Sequence, residues 1–155
     1  MVKISVSEQT TFTDFDVSNR EEALKILSKE LLNRDKVEID FLQNLLEREE
    51  KAPTGLSIYD YGIAIPHTEP QYVKEDSVAI AVLKKPIPFY DMVTKSETIS
   101  VNIIFLLALT ESNKHLNILS QIMDLVNKPG AVEELMKMNK EKLLNHVYEK
   151  LELTN

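Results

Sequence analysis

Residues 99–109 read Ile-Ser-Val-Asn-Ile-Ile-Phe-Leu-Leu-Ala-Leu, and residues 77–83 read Ser-Val-Ala-Ile-Ala-Val-Leu. Near-continuous apolar runs of this length, rich in β-branched side chains, are the signature of strands buried on both faces. Pro86 and Pro88 fall between the two runs and predict a break in the chain there. A third run, Gly62-Ile63-Ala64-Ile65, ends against Pro66. Proline restricts the residue before it to extended geometry, so Ile65 is predicted to finish a strand and His67 to open a loop.

Outside these runs the period lengthens to that of a helix. Ser18 and Glu21 have capping-box spacing, and Ala23, Leu24, Leu27, Leu31 and Leu32 mark one face of a first helix. Asp35 and Glu38 repeat the start signal for a second helix carrying Val37, Phe41, Leu42, Leu45 and Leu46, which runs out near Lys51 before Pro53 and Gly55. A third helix is predicted from about Ser112, with Leu116, Leu119, Ile122, Met123 and Val126 on one side, ending at Pro129-Gly130. Two shorter helices follow, over about 132–138 and 140–151, the last capped by Asn139. The stretch up to Asp16 reads as a weak strand or an extended arm. Helices at both ends of a block of doubly covered strands predict an α/β fold. Its expected form is a three-layer sandwich, a mixed β-sheet flanked by helices on both faces. Strand order is not legible.

The 155 residues suffice for one hydrophobic core, and no repeat or Gly/Ser linker divides them, so 1–155 is expected to be a single domain. The chain has no cysteine, which excludes a disulfide scaffold, a thiol nucleophile and a thiolate metal site. Met1-Val2-Lys3-Ile4-Ser5 lacks the pattern of a secretion signal, and no apolar run reaches the ~18 residues of a membrane span. A cytoplasmic protein is expected. A net charge of −7 argues against nucleic acid as a partner, because phosphate backbones are met by clustered Lys and Arg.

The candidate chemistry lies at element ends. His67 follows a rigid proline at a strand exit, where a side chain can be held firmly and still reach solvent. It reads equally as a histidine satisfied by a backbone carbonyl or as a reactive imidazole. His115 falls in the first turn of the third helix, where the dipole disfavours imidazolium and favours anions. If the two strand ends are neighbours, the pair would border a phosphate or oxyanion pocket. Arg48 reads by pattern as part of a solvated helix end, or as a donor fork for a phosphoryl group. Thr54, in the turn Pro53-Thr54-Gly55, offers a hydroxyl near the same place. His146 reads as surface. The set His67-x-Glu69 plus His115 lacks the tight ligand spacing of zinc motifs, and there is no nucleophile elbow, phosphate loop or dinucleotide fingerprint.

Taken in order, Glu47-Arg48-Glu49 before a Thr-Gly turn, Gly62-Ile63-Ala64-Ile65-Pro66-His67, and His115-Leu116 opening a helix resemble the IIA domain of the fructose–mannitol class of the bacterial sugar phosphotransferase system. The resemblance covers nearly the whole chain. It implies that His67 accepts a phosphoryl group from the carrier HPr and donates it to a cysteine of a IIB component. The membrane component IIC would be served indirectly, and no cofactor or metal is implied. Arg48 and His115 are then the residues that steady the phosphohistidine, with Thr54 and Glu69 as further expected phosphoryl-binding residues. Many members carry Gly after the histidine, whereas this chain has Thr68-Glu69, which is similar to the galactitol branch. Glu69 would bring negative charge to a phosphorylated His67, so it is expected to point away or to contact the partner. A regulatory module of the nitrogen-system type and a metal-dependent hydrolase are the competing readings.

Overall fold

The computed structural model describes residues 2–153. Its first half contains β1 (Val2–Lys3), β2 (Thr11–Phe15), α1 (Arg20–Asn33), α2 (Phe41–Lys51), β3 (Gly55–Ile58) and β4 (Tyr61–Ala64). The second half contains β5 (Ser77–Tyr90), β6 (Thr98–Ala108), α3 (Ser112–Val126), α4 (Ala131–Lys137), α5 (Lys140–Lys150) and β7 (Glu152–Leu153). Five strands form a mixed sheet in the order β2-β5-β6-β4-β3, and β1 pairs with β7 in a separate antiparallel pair. Strands β5 and β6 are antiparallel, β2 runs parallel to β5, and β4 runs parallel to β6.

The two long apolar runs are the central strands, as their doubly buried pattern requires. Along β6, Ile103, Phe105 and Leu107 join one core with Ile118, Ile122 and Val126 of α3, Val132 and Leu135 of α4, and Leu143 and Val147 of α5. Ile104, Leu106 and Ala108 face the other core, with Leu24, Leu27 and Leu31 of α1 and Phe41 and Leu45 of α2. Two-residue alternation thus feeds both faces, and the three-layer α/β sandwich follows.

Four local expectations are corrected. The prolines do not break the chain: β5 runs through Pro86 and Pro88, with a register shift between Val82 and Ile87. Lys84, Lys85 and Pro86 form an exposed bulge, and β2 pairs with β5 only as far as Leu83, so the prolines need donate no ladder bond. The first helix is capped by Asn19 rather than Ser18. Its side chain accepts the Glu22 N–H, while the Glu22 carboxylate takes the Ser18 N–H at 3.0 Å. Asp35 ends α1 at φ 59° instead of starting α2, and Val37 bridges to Val73 before α2 begins at Phe41. Leu32 and Leu116 are exposed, and Ile118 takes the buried place on α3.

Close approach of β4 to β6 depends on Gly62. A Cβ there would lie 2.1 Å from the Ser100 carbonyl oxygen, and the Gly62 N–H donates to Asn102 Oδ1 at 3.1 Å. Gly62→Ala is expected to lower the unfolding free energy by about 3 kcal/mol, since backbone must shift to admit the methyl. Urea denaturation checks this; a loss below ~1 kcal/mol would show that the strands part easily.

Candidate functional site

Because β4 and β6 are adjacent and parallel, the chain leaves both strands at the same edge of the sheet. Ligand-binding groups concentrate at such carboxyl ends. His67 follows β4, and α3 follows β6, so the pair of histidines is assembled by strand order alone. Their ring centroids lie 4.8 Å apart with planes tilted by 43°. The Leu107 N–H donates to the Pro66 carbonyl at 2.9 Å, which ties the loop carrying His67 to the end of β6.

His67 Nδ1 lies 3.0 Å from the Ile65 carbonyl oxygen. A carbonyl only accepts, so this contact assigns the proton to Nδ1 and leaves the lone pair on Nε2. Burial holds the His67 pKa below its ordinary value, and the nearby Arg48 cation lowers it too, against opposing contributions from the Ile65 bond and Glu69. The ring is therefore neutral and nucleophilic at pH 7. His115 is pushed down further, to about 4, by burial first and then by His67 and Arg48, although a bond to the Ser112 carbonyl acts the other way.

Arg48 reaches the histidines from the last turn of α2. Its Nη1 donates to the Glu69 carboxylate in a salt bridge. Asn44, one turn earlier on α2, accepts the Glu69 N–H at 3.2 Å, so one helix face grips both ends of that residue. Among the described residues, Arg48 Nε and His115 Nε2 are two of three buried side-chain polar atoms without a hydrogen-bond partner, the third being Ser28 Oγ. An orphaned buried guanidinium donor beside a neutral imidazole suits an incoming anion.

The structure brings together His67, His115, Arg48 and Glu69, and leaves Thr54 out. Thr54 is 3% exposed; its hydroxyl donates to Glu49 Oε1 at 2.7 Å and accepts the Ile65 N–H at 3.2 Å. With its proton committed, it supports the strand under His67 instead of meeting a phosphoryl group. Glu69 carries no donor when ionised and is turned onto Arg48, so it too does not bind a phosphoryl oxygen directly. That same turn takes its carboxylate out of the His67-x-Glu69 zinc arrangement. His146 is half-buried on α5, outside this group.

Two supports were missed by sequence reading. Glu49 is 5% exposed and accepts both the Thr54 N–H and hydroxyl; burial, opposed by those bonds, raises its pKa to about 7. The signal was available in its phase, since Glu49 falls four residues after Leu45 and eight after Phe41 on the buried stripe. Asp76 accepts the Thr110 N–H, the Thr110 hydroxyl and Lys114 Nζ at 2.8, 3.0 and 2.6 Å, fastening the start of α3. It had no sequence signal, because its partners are 34 and 38 residues away.

The depressed His115 value fixes a pH effect. In the unfolded chain this imidazole titrates near 6.5, so on acidification the unfolded state takes the proton first, and its contribution to stability falls from about pH 6.5 to about 4. Glu49 has the opposite sign, its contribution falling as pH rises from 4.5 to about 7. NMR titration is expected to place the His115 inflection about pH 4, and an inflection above ~6 would contradict the burial of its Nε2.

A family model described as "Phosphoenolpyruvate-dependent sugar phosphotransferase system, EIIA 2" matches residues 5–150. Multiphosphoryl transfer protein 1 of Escherichia coli (strain K12) is 34% identical over 125 residues, 77% of this chain but 14% of that protein's length. The mannitol-specific phosphotransferase enzyme IIA component of Bacillus subtilis (strain 168) is 29% identical over 133 residues, 85% of this chain and 87% of that one. The fold matches a chain of the Escherichia coli complex of enzyme IIA mannitol and phosphorylated enzyme IIB mannitol. That match has a TM-score of 0.76 at 17% identity, and it covers 94% of this chain and 97% of the other. The chain therefore belongs to the EIIA type 2 family of the phosphoenolpyruvate-dependent sugar phosphotransferase system.

Proposed function

We propose that this chain is a cytoplasmic phosphoryl carrier, acting as one unit, that accepts a phosphoryl group from phospho-HPr on His67 and passes it to a cysteine of a IIB component during sugar or polyol uptake through IIC. The observation that carries the reading is the His67 tautomer. Its Nδ1 proton rests on the Ile65 carbonyl, so Nε2 is a free, neutral nucleophile beside Arg48 and His115. Attack by Nε2 forms a new N–P bond as the donor's P–N bond breaks, and the bonding pair returns to the donor nitrogen. The net change is movement of PO3⁻: the ring keeps its Nδ1 proton and becomes cationic while the phosphoryl group carries two negative charges. Transfer onward reverses the bookkeeping, with a thiolate sulfur forming the S–P bond and Nε2 recovering its lone pair.

Phosphoryl transfer asks a protein mainly for positioning and for offset of charge on the equatorial oxygens. Arg48 Nε, unpartnered and buried, is the cationic donor proposed for those oxygens. His115 flanks the same space, and the positive end of α3 acts in the same sense. The IIB partner is supported by the E. coli mannitol assembly, which shares this fold. A galactitol-like polyol is the proposed cargo on the Thr68-Glu69 variant, and the mannitol-specific relative supports the wider polyol class.

Incubation with labelled phosphoenolpyruvate, enzyme I and HPr is expected to give acid-labile, base-stable label that is absent from His67→Ala. Label persisting in that variant would remove His67 from the role. Arg48→Ala is expected to accept the group about a hundredfold more slowly, the scale of one lost charge-stabilising donor. Acceptance without onward transfer to any IIB component would favour the regulatory reading instead.

A further inference from the structure

The Glu69 carboxylate takes no part in the transfer just described, yet it occupies the arginine that the transfer needs. We propose that Glu69 is a counter-anion that shares Arg48 with the phosphoryl group, and that it thereby raises the phosphoryl-transfer potential of His67. The inference rests on His67 being the phosphoacceptor.

Three observations carry it. First, the salt bridge joins Arg48 Nη1 to a Glu69 side chain that is 49% exposed, so the carboxylate has an open path to water. Second, the Glu69 backbone is fixed: its N–H donates to Asn44 Oδ1, and its carbonyl accepts the hydroxyl of Thr68, itself 1% exposed. The carboxylate is therefore held beside Arg48 by a fixed loop under His67. Third, Arg48 and Glu69 both lie within electrostatic reach of the two histidines, and their effects there are opposite in sign.

The resting pair presents almost no net charge to His67. Arrival of PO3⁻ adds one negative charge next to a carboxylate that already holds the guanidinium. Arg48 Nε has no partner and is the donor left for a first phosphoryl oxygen. A bidentate grip from that side uses Nε with Nη2, the edge that Glu69 on Nη1 leaves open, so the arginine is shared between the carboxylate and the phosphoryl group. The phosphorylated state thus shares its cation with a carboxylate and bears a like charge near by, whereas the free state has neither cost. That difference makes the phosphohistidine a stronger donor toward the next acceptor.

The test uses potassium phosphoramidate on the 155-residue chain. This small donor needs no carrier protein: its P–N bond breaks, the Nε2–P bond forms, and ammonia leaves. At a fixed phosphoramidate-to-ammonia ratio, ³¹P NMR reads the ratio of phosphorylated to free His67, with His67→Ala identifying signals from other histidines. Glu69→Gln is expected to raise that ratio about tenfold, and Glu69→Asp, which keeps the charge, to stay within about twofold of the parent. A merely structural role for Glu69 would not separate Gln from Asp in this way. An unchanged or lowered ratio in Glu69→Gln overturns the proposal, as does failure of phosphoramidate to modify His67 in parent and variants alike. A tenfold rise without labelling by HPr would instead uphold the counter-anion and reject the carrier assignment.

Discussion

The hydrogen bond from His67 Nδ1–H to the Ile65 carbonyl is the constraint on which the site depends. It sets the tautomer, the ring orientation and the nitrogen that keeps its lone pair together. It is supported because the residue whose carbonyl it uses is itself held. The Ile65 N–H is taken by Thr54, and Thr54 is taken by the buried Glu49 carboxylate. A line of bonds therefore runs from the end of α2, through the turn before β3, to the imidazole. Arg48 adjoins Glu49 in that last turn, so imidazole and cation are indexed to one helix end.

The electrostatic design is economical in charge. Both histidines are kept neutral by burial, and one arginine supplies the positive charge near them. A neutral imidazole pair beside a shared guanidinium places little net charge at the strand ends, an arrangement that fits the proposed carrier role.

The legible part of this fold was the part written in continuous hydrophobicity. Residues 77–83 and 99–109 gave the buried strands, and the stripes of α1 and α3 gave their layers, because burial acts on every residue along them. Errors arose where one bond outweighs pattern. Asn19 caps α1 instead of Ser18, Asp35 turns the chain through a positive φ, and a bulge carries β5 past two prolines. At the site, His67, His115 and Arg48 could be singled out because each is a rare residue type at an element end, and the structure brings them together. Thr54 and Glu69 were chosen by proximity along the chain, which says nothing about where a hydroxyl or carboxylate points. Asp76 and the Arg48–Glu69 bridge are contacts over 21 to 38 residues, and only the folded chain displays them.

The bulge in β5 has a consequence of a different kind. Beyond Leu83 the outer side of this strand has lost its neighbour β2, and such an unpaired rim is the usual nucleus for strand-by-strand association between molecules. Here the rim carries Lys84, Lys85 and Pro86, all exposed, followed by Pro88, whose nitrogen has no hydrogen to offer. Two like charges repel an approaching copy, and two prolines deny it a regular ladder. The kink that misled sequence reading thus acts as a colloidal safeguard, keeping the open margin of the sheet from seeding fibrils.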